Sequence, residues 1–184
     1  MIRPIVKYGH PALRAKGVRI KQVTDEVRSL ANDMLDTMRV ARGVGLAAQQ
    51  VGVALQLAVI DVSGIEDRPS SMQIDEKPVE IDKWMPLVLL NPELRLGHEK
   101  ETGNEGCLSF PEMSAEIARA TQVHAKAGLL DGGEIEFDAT GLLARALQHE
   151  VDHLHGILFI DRMSSAARAS LAGRLKRLQK ENAH

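Results

Sequence analysis

The stretch Gln148–Gly156 reads QHEVDHLHG. Two histidines, His149 and His153, stand four apart, and Glu150 follows the first directly. A helix turns about 100° per residue, so the two imidazoles point within about 40° of each other and Glu150 lies about 60° beyond His153. Leu142 and Ala146 fall on the same quadrant, and Leu143, Leu147, Val151 and Leu154 extend the apolar arc. The spacing predicts a helix from Thr140 or Gly141 to His155, stopped by Gly156, with both histidines and the glutamate facing a core. Arg145, Gln148, Asp152 and His155 make up the outer arc, which reads as solvated.

Imidazoles at i and i+4 grip one cation from a single helix, and a nearby glutamate can serve as its base. The bland alternative is a pair of core histidines bonded to backbone. Against it stands Glu150, because an unpaired buried carboxylate is costly. A catalytic metal needs a third protein ligand and one open position. The HExxHxxGxxH extension is absent, since Phe159 holds that place, and His155 points to the outer arc. Cys107, the one cysteine, is the remaining strong candidate. A thiolate suits zinc or ferrous iron. A lone cysteine can equally be a small buried hydrophobe or a nucleophile activated by His149; the last leaves His153 and Glu150 without roles.

The 184 residues suffice for one domain spanning 1–184, with no internal repeat or low-complexity linker. A formal net charge of -2 gives no global pull toward nucleic acid or anionic membrane. No apolar run approaches the roughly 20 residues that span a bilayer, and MIRPIVKYGHPALR has no signal-peptide core. A soluble, cytoplasmic chain without disulfides is expected. Thr24 caps a helix carrying Val27, Leu30, Ala31, Met34, Leu35 and Met38 at helical spacing, ended by Gly43 and Gly45. Val53–Val62 reads as a buried strand, and Leu87–Leu94 as another that stops near Asn91-Pro92. Ser63–Met85 reads as a long mobile excursion. Arg119–Leu130 and Glu134–Ala139 suggest two antiparallel strands about a tight turn. A last helix follows Ser164 or Ser165, apolar at Ala167, Leu171, Leu175 and Leu178, basic at Arg168, Arg174, Lys176, Arg177 and Lys180.

Three stretches, GVGLAAQQVG (Gly43–Gly52), EGCLS (Glu105–Ser109) and QHEVDHLHG, resemble in order the three motifs of the peptide deformylases. PIVKYGHPALRAKGVRI and GILFIDRMS resemble the family's flanks, so the likeness covers nearly all of the chain except Ser63–Met85 and the extreme C-terminus. The resemblance implies an α+β fold, mostly antiparallel sheets packed around a central metal-binding helix, with a C-terminal helix. It implies a hydrolase that removes the formyl group from the initiator methionine of new polypeptides and releases formate. It implies one divalent ion, ferrous iron first, with zinc, nickel or cobalt also accepted, held by Cys107, His149 and His153. Glu150 would be the general base and proton carrier. The Gln50 amide and the Leu108 N–H would receive the growing oxyanion. Gly43 and Gly45 would lie along the substrate main chain, and Glu105 near the methionine pocket; an ordinary loop carboxylate is the alternative for Glu105. Gln49 has no assigned role.

By the same resemblance Asp152 would be supported by backbone or a basic side chain, with Arg119 a plausible partner. Asp152 with Arg145 is another pairing, although Arg145 reads more simply as a surface charge. The basic face of the last helix offers contact with ribosomal RNA, against ordinary solvation. Two departures stand out: Ser63–Met85 is longer than in compact relatives, and Ser114 replaces a larger basic side chain that contacts substrate. The rival functions are a zinc endopeptidase with a different third ligand, and a structural metal module, which would need a fourth protein ligand.

Overall fold

The computed structural model describes residues 1–184. The Thr24 hydroxyl accepts a bond from the Val27 N–H and starts α1 (Asp25–Val40), with Asp25 and Glu26 in the first turn, where the helix dipole favours negative charge. Its stripe Val27, Leu30, Ala31, Met34 and Met38 is buried. Strand β1 (Gly45–Ala47) then pairs with β2 (Leu57–Ile60). The ordered strand is shorter than the Val53–Val62 run suggests. All four residues of β2 are buried. Leu57 and Val59 pack toward α1, while Ala58 and Ile60 face the other side. Coverage on both faces is why the run is apolar without alternation.

The Ser63–Met85 segment is not a structureless excursion. It contains β3 (Ser70–Ile74) and β4 (Lys77–Pro78). Asp75 and Glu76, both at positive φ, make the turn between them. Met72 is the anchor, 1% exposed within the core. The other β3 residues keep one face open, which explains the polar composition that hides this strand from a periodicity reading.

β5 (Leu87–Leu96) does not stop at Asn91-Pro92 but bends there and continues, with a register shift between Leu90 and Glu93 against its partner. Asn91 sits at a φ of 51°. Its side chain donates to the Ile20 carbonyl and accepts from the Ile20 N–H, both at 2.8 Å. The bend is therefore held from outside the strand.

Next come β6 (Lys100–Cys107) and β7 (Phe110–Ala120), a two-stranded hairpin unrecognised in the sequence. β8 (Gln122–Gly128) and β9 (Glu134–Thr140) form the expected antiparallel pair, although Arg119 belongs to β7. The larger sheet has seven strands in the order β1-β2-β5-β8-β9-β3-β4, with antiparallel neighbours throughout. Helix α2 (Gly141–Leu154) lies between the two sheets. Leu142, Leu143, Ala144, Ala146 and Leu147 enter the core of the large sheet. Gly156, at a φ of 73°, ends the helix as expected. Phe159, Ile160 and α3 (Ser165–Glu181) then cover the inner face of β7, with Leu175 buried. The architecture is α+β, antiparallel, with a terminal helix. No helix is long and apolar enough to cross a membrane.

Replacing Asn91 with alanine removes two hydrogen bonds and leaves a β-carbon in a left-handed conformation. Asn91→Ala should lower stability by about 2 kcal/mol in urea unfolding of the full chain. A loss under about 0.5 kcal/mol, the size of an ordinary surface change, would show that the Asn91–Ile20 pair does not hold the bend.

Candidate metal centre

Cys107 closes β6 at the turn into β7, where the pairing register shifts. His149 and His153 project from successive turns of α2, with ring centroids 5.0 Å apart. The ligand atoms of Cys107, His149 and His153 all lie within 4.8 Å of one another. His153 Nε2 is 3.4 Å from the Cys107 sulfur. His149 donates from Nδ1 to a Glu105 carboxylate oxygen at 2.9 Å, which leaves Nε2 free for the cluster. A sulfur and two imidazoles converging on one point, with one ring oriented by a carboxylate, fit a divalent cation. These residues can hold a metal ion; the donors present do not choose between zinc and iron.

The buried surroundings treat the two nearby carboxylates in opposite ways. Burial alone would raise the Glu105 carboxyl, but hydrogen bonds from His149 and Arg119 overturn that and hold it well below the usual carboxylate range. Glu150 has no such partners. Burial pushes it up to about 7, only partly offset by His149. Its Oε2 is buried without a hydrogen-bond partner in the protein. A buried polar atom left unmatched is costly and marks a place where a bound group belongs. The neighbouring Gly45 matters by what it lacks: a β-carbon there would stand 2.5 Å from Glu150 Oε1. At Gly43 a β-carbon would stand 2.8 Å from the Leu108 side chain. Neither glycine has positive φ; the left-handed residue at this turn is Arg42. Both glycines therefore sit where a side chain would collide, and the left-handed backbone falls on Arg42.

Gln50 is 1% exposed. Its Oε1 accepts from the Ala47 N–H at 3.0 Å, which turns Nε2 toward the Cys107 sulfur at 3.6 Å and the Ser109 hydroxyl at 3.3 Å. Leu108 follows Cys107, and its carbonyl accepts from the Lys7 ammonium at 2.8 Å. Gln49, left without a role by the sequence, is fully buried and reaches toward the Ala15 and Leu154 carbonyls. Beside the cluster Tyr8 stacks on Phe110, and Phe110 meets Phe159 edge to face, with centroid separations of 5.0 and 4.9 Å. The site thus gathers the chain's only tyrosine and two of its three phenylalanines.

The outer arc of α2 departs most from expectation. Gln148 is buried and pairs with both backbone groups of Ala120. Arg145 is not a surface charge: it donates at 2.8 Å to Glu105 and to the Ile117 carbonyl. Asp152 does not pair with Arg145. It accepts from Arg119 at 2.6 Å, as anticipated, and from Arg162 at 2.9 Å. Arg119 in turn makes a two-pronged contact with Glu105, at 2.8 and 3.0 Å. Glu105 lines the same cleft as Cys107 and Glu150, with its carboxylate engaged by the protein. Both of its oxygens are taken by His149, Arg119 and Arg145. The sequence did carry a sign of this. Met113, Ala115, Ile117 and Arg119 alternate inward along β7, so an arginine occupies a core slot and needs a buried counter-charge.

A sequence model of the polypeptide deformylase family matches residues 2–169. A peptide deformylase of Methylacidiphilum infernorum is 45% identical over 183 residues, covering 100% of this chain and 96% of that relative. One from Thermomicrobium roseum is 44% identical over 88% of this chain and 86% of its own length. The crystal structure of a peptide deformylase from Legionella pneumophila superposes with a TM-score of 0.81 at 36% identity, over 100% of this chain and 99% of that one. These likenesses run the length of a chain that brings a cysteine and two histidines together, and the chain belongs to the polypeptide deformylase family, metal-dependent hydrolases that remove the N-formyl group from newly made polypeptides.

Proposed function

We propose that residues 1–184 form one catalytic domain in which Cys107, His149 and His153 hold a single ferrous ion and Glu150 moves the proton. The supporting observation is the buried, unpartnered Glu150 Oε2 beside the three converging donors. Zinc, nickel or cobalt would be accepted by the same donors. When bound, such an ion polarises a carbonyl oxygen and makes water a nucleophile near neutral pH.

The formyl amide of an N-formylmethionyl peptide is hydrolysed: water adds to the formyl carbon, the C–N bond breaks, and formate and a free amino group result. Glu150 accepts a proton from the attacking water and returns it to the leaving nitrogen. A carboxyl poised near neutrality suits both halves of that shuttle. The Gln50 Nε2 amide and the Leu108 N–H donate to the formyl oxygen as charge grows on it. Gln50 is pre-oriented by its bond from Ala47, so little reorganisation is needed during reaction. Gly43 and Gly45 line the approach of the substrate main chain. Glu105 acts through His149, by fixing which ring nitrogen carries the proton. A cytoplasmic location follows from nascent chains as substrate. On α3, Arg174 is bonded to the Glu112 carbonyl and Arg168 to the Ile160 carbonyl, so Lys176, Arg177 and Lys180 are the exposed charges left for solvent or for ribosomal RNA.

Protein purified without oxygen should release formate from formyl-methionyl peptides in proportion to its bound iron. Glu150→Gln should keep metal and fold and lower kcat by about 100- to 10,000-fold. Undiminished formate release by this variant would remove Glu150 from the proton's path, and cleavage of internal peptide bonds instead of formyl groups would favour the endopeptidase reading.

Glu105→Gln tests the orienting role separately. Breaking a buried charge network costs about 3–5 kcal/mol, so the melting temperature should fall. In the protein that remains folded, zinc affinity measured by chelator competition should weaken about 10- to 100-fold. Unchanged affinity would detach Glu105 from His149.

A further inference from the structure

The cleft lined by Cys107, His149 and Glu150 has a cavity volume of about 580 Å³. Its cations are Lys7, Arg42, Arg68 and Arg145, and its carboxylates are Glu105, Glu112 and Glu150. Several of these are already committed. Arg145 and Glu105 cancel in their own ion pair at 2.8 Å. Lys7 keeps its charge but is half-buried and held at the Leu108 carbonyl, at the inner end of the cleft with Glu150. The exposed part of the wall is left with Arg42 and Arg68 against Glu112 alone. Glu66 and Asp67 precede Arg68 in the chain but do not line the cleft.

Neither arginine is spent on a carboxylate. The chain's salt bridges involve other residues. The Arg68 guanidinium instead reaches across to the Asn104 carbonyl on β6, at 3.4 Å, which places a charge from the β2–β3 connection over the cleft. Arg42 occupies the turn after α1 at a φ of 58°. Glycine would suit that backbone with less strain, so the conformation favours no arginine for its own sake. What arginine adds there is a guanidinium at the cleft wall.

We propose that Arg42 and Arg68 make this enzyme select formyl-methionyl chains that carry acidic residues soon after the methionine. The inference rests on the deformylase reading and names a substrate class within it. An extended chain advances about 3.3–3.6 Å per residue, so a few residues beyond methionine run along the wall before reaching open solvent. The protein as a whole carries a net charge of -2 and would repel acidic peptides. A preference for them must therefore come from local charges. Local charges at an exposed wall are screened with a Debye length of about 8 Å at physiological salt, so the preference should fade as salt rises.

The test uses the metal-loaded full chain and three amidated peptides: formyl-Met-Ala-Glu-Glu, formyl-Met-Ala-Gln-Gln and formyl-Met-Ala-Lys-Lys. At low salt kcat/KM should be about fivefold or more higher for the acidic than for the basic peptide. The difference should lie in KM, as for binding shared by ground and transition states, and should approach unity near 1 M salt. Arg68→Glu, and the pair Arg42→Glu with Arg68→Glu, should lower and then invert the acidic-to-basic ratio. A ratio near one at low salt, a ratio indifferent to salt, or one unmoved by both variants would overturn the charge preference while formate release upholds the deformylase reading. No formate from any of the three peptides would overturn that reading, and the preference with it.

Discussion

The structure depends on the docking of the β6–β7 hairpin against one face of α2, because only there do the sulfur and the two imidazoles meet. Cys107 comes from the hairpin and the histidines from the helix, 42 and 46 positions later. The joint between the two elements is largely polar. Glu105 holds Arg119, Arg145 and His149 at once, Asp152 holds Arg119 from the other side, and Gln148 pairs with the backbone of Ala120. Such a seam is directional in a way that apolar packing is not. Sliding the hairpin by one residue would exchange its inward and outward side chains, leaving Arg119 without its carboxylates. Position along the helix is thereby tied to the charge network, and the place of Cys107 follows from it.

The same seam separates the two carboxylates that border the histidines. Glu105 is ringed by donors and stays ionised. Glu150, one residue after His149, is buried without donors, which pushes its carboxyl up to about 7. Two like groups pushed apart in this way can serve as a fixed counter-charge and a movable proton carrier. Gly45 permits the arrangement by leaving room at the Glu150 carboxyl. Gln50, with its amide turned by Ala47, completes a wall of donors beside the sulfur. Each group is held by an element packed on α2, so the chemistry rests on the core and not on a loop.

Much of this was legible from residues alone, for reasons that can be stated. The inward placement of His149, Glu150 and His153 followed from helical geometry, and α1 from its cap and apolar spacing. Residues alone make Cys107 a candidate third donor with two rival readings, and the family resemblance is what implies it as ligand, because its sequence position says nothing about what faces it. A helical wheel equates polar with solvated and so puts the outer arc of α2 in water. Gln148 and Arg145 are covered by the hairpin, and their partners are backbone groups and Glu105. β6, with the sequence KETGNEGC, has too little apolar alternation to announce a strand. β3 was hidden in the same way, since Met72 carries most of its burial alone. Asn-Pro normally ends a strand, which hides the second half of β5; here Asn91 is pinned by Ile20 from outside and the strand continues.

X-ray absorption spectroscopy on the metal-loaded protein tests the joining of hairpin and helix most directly. The account predicts, for zinc, one sulfur at about 2.3 Å and two imidazole nitrogens at about 2.0–2.1 Å, completed by a light scatterer exchangeable with solvent. A shell without sulfur, or one filled by four protein ligands, would contradict it.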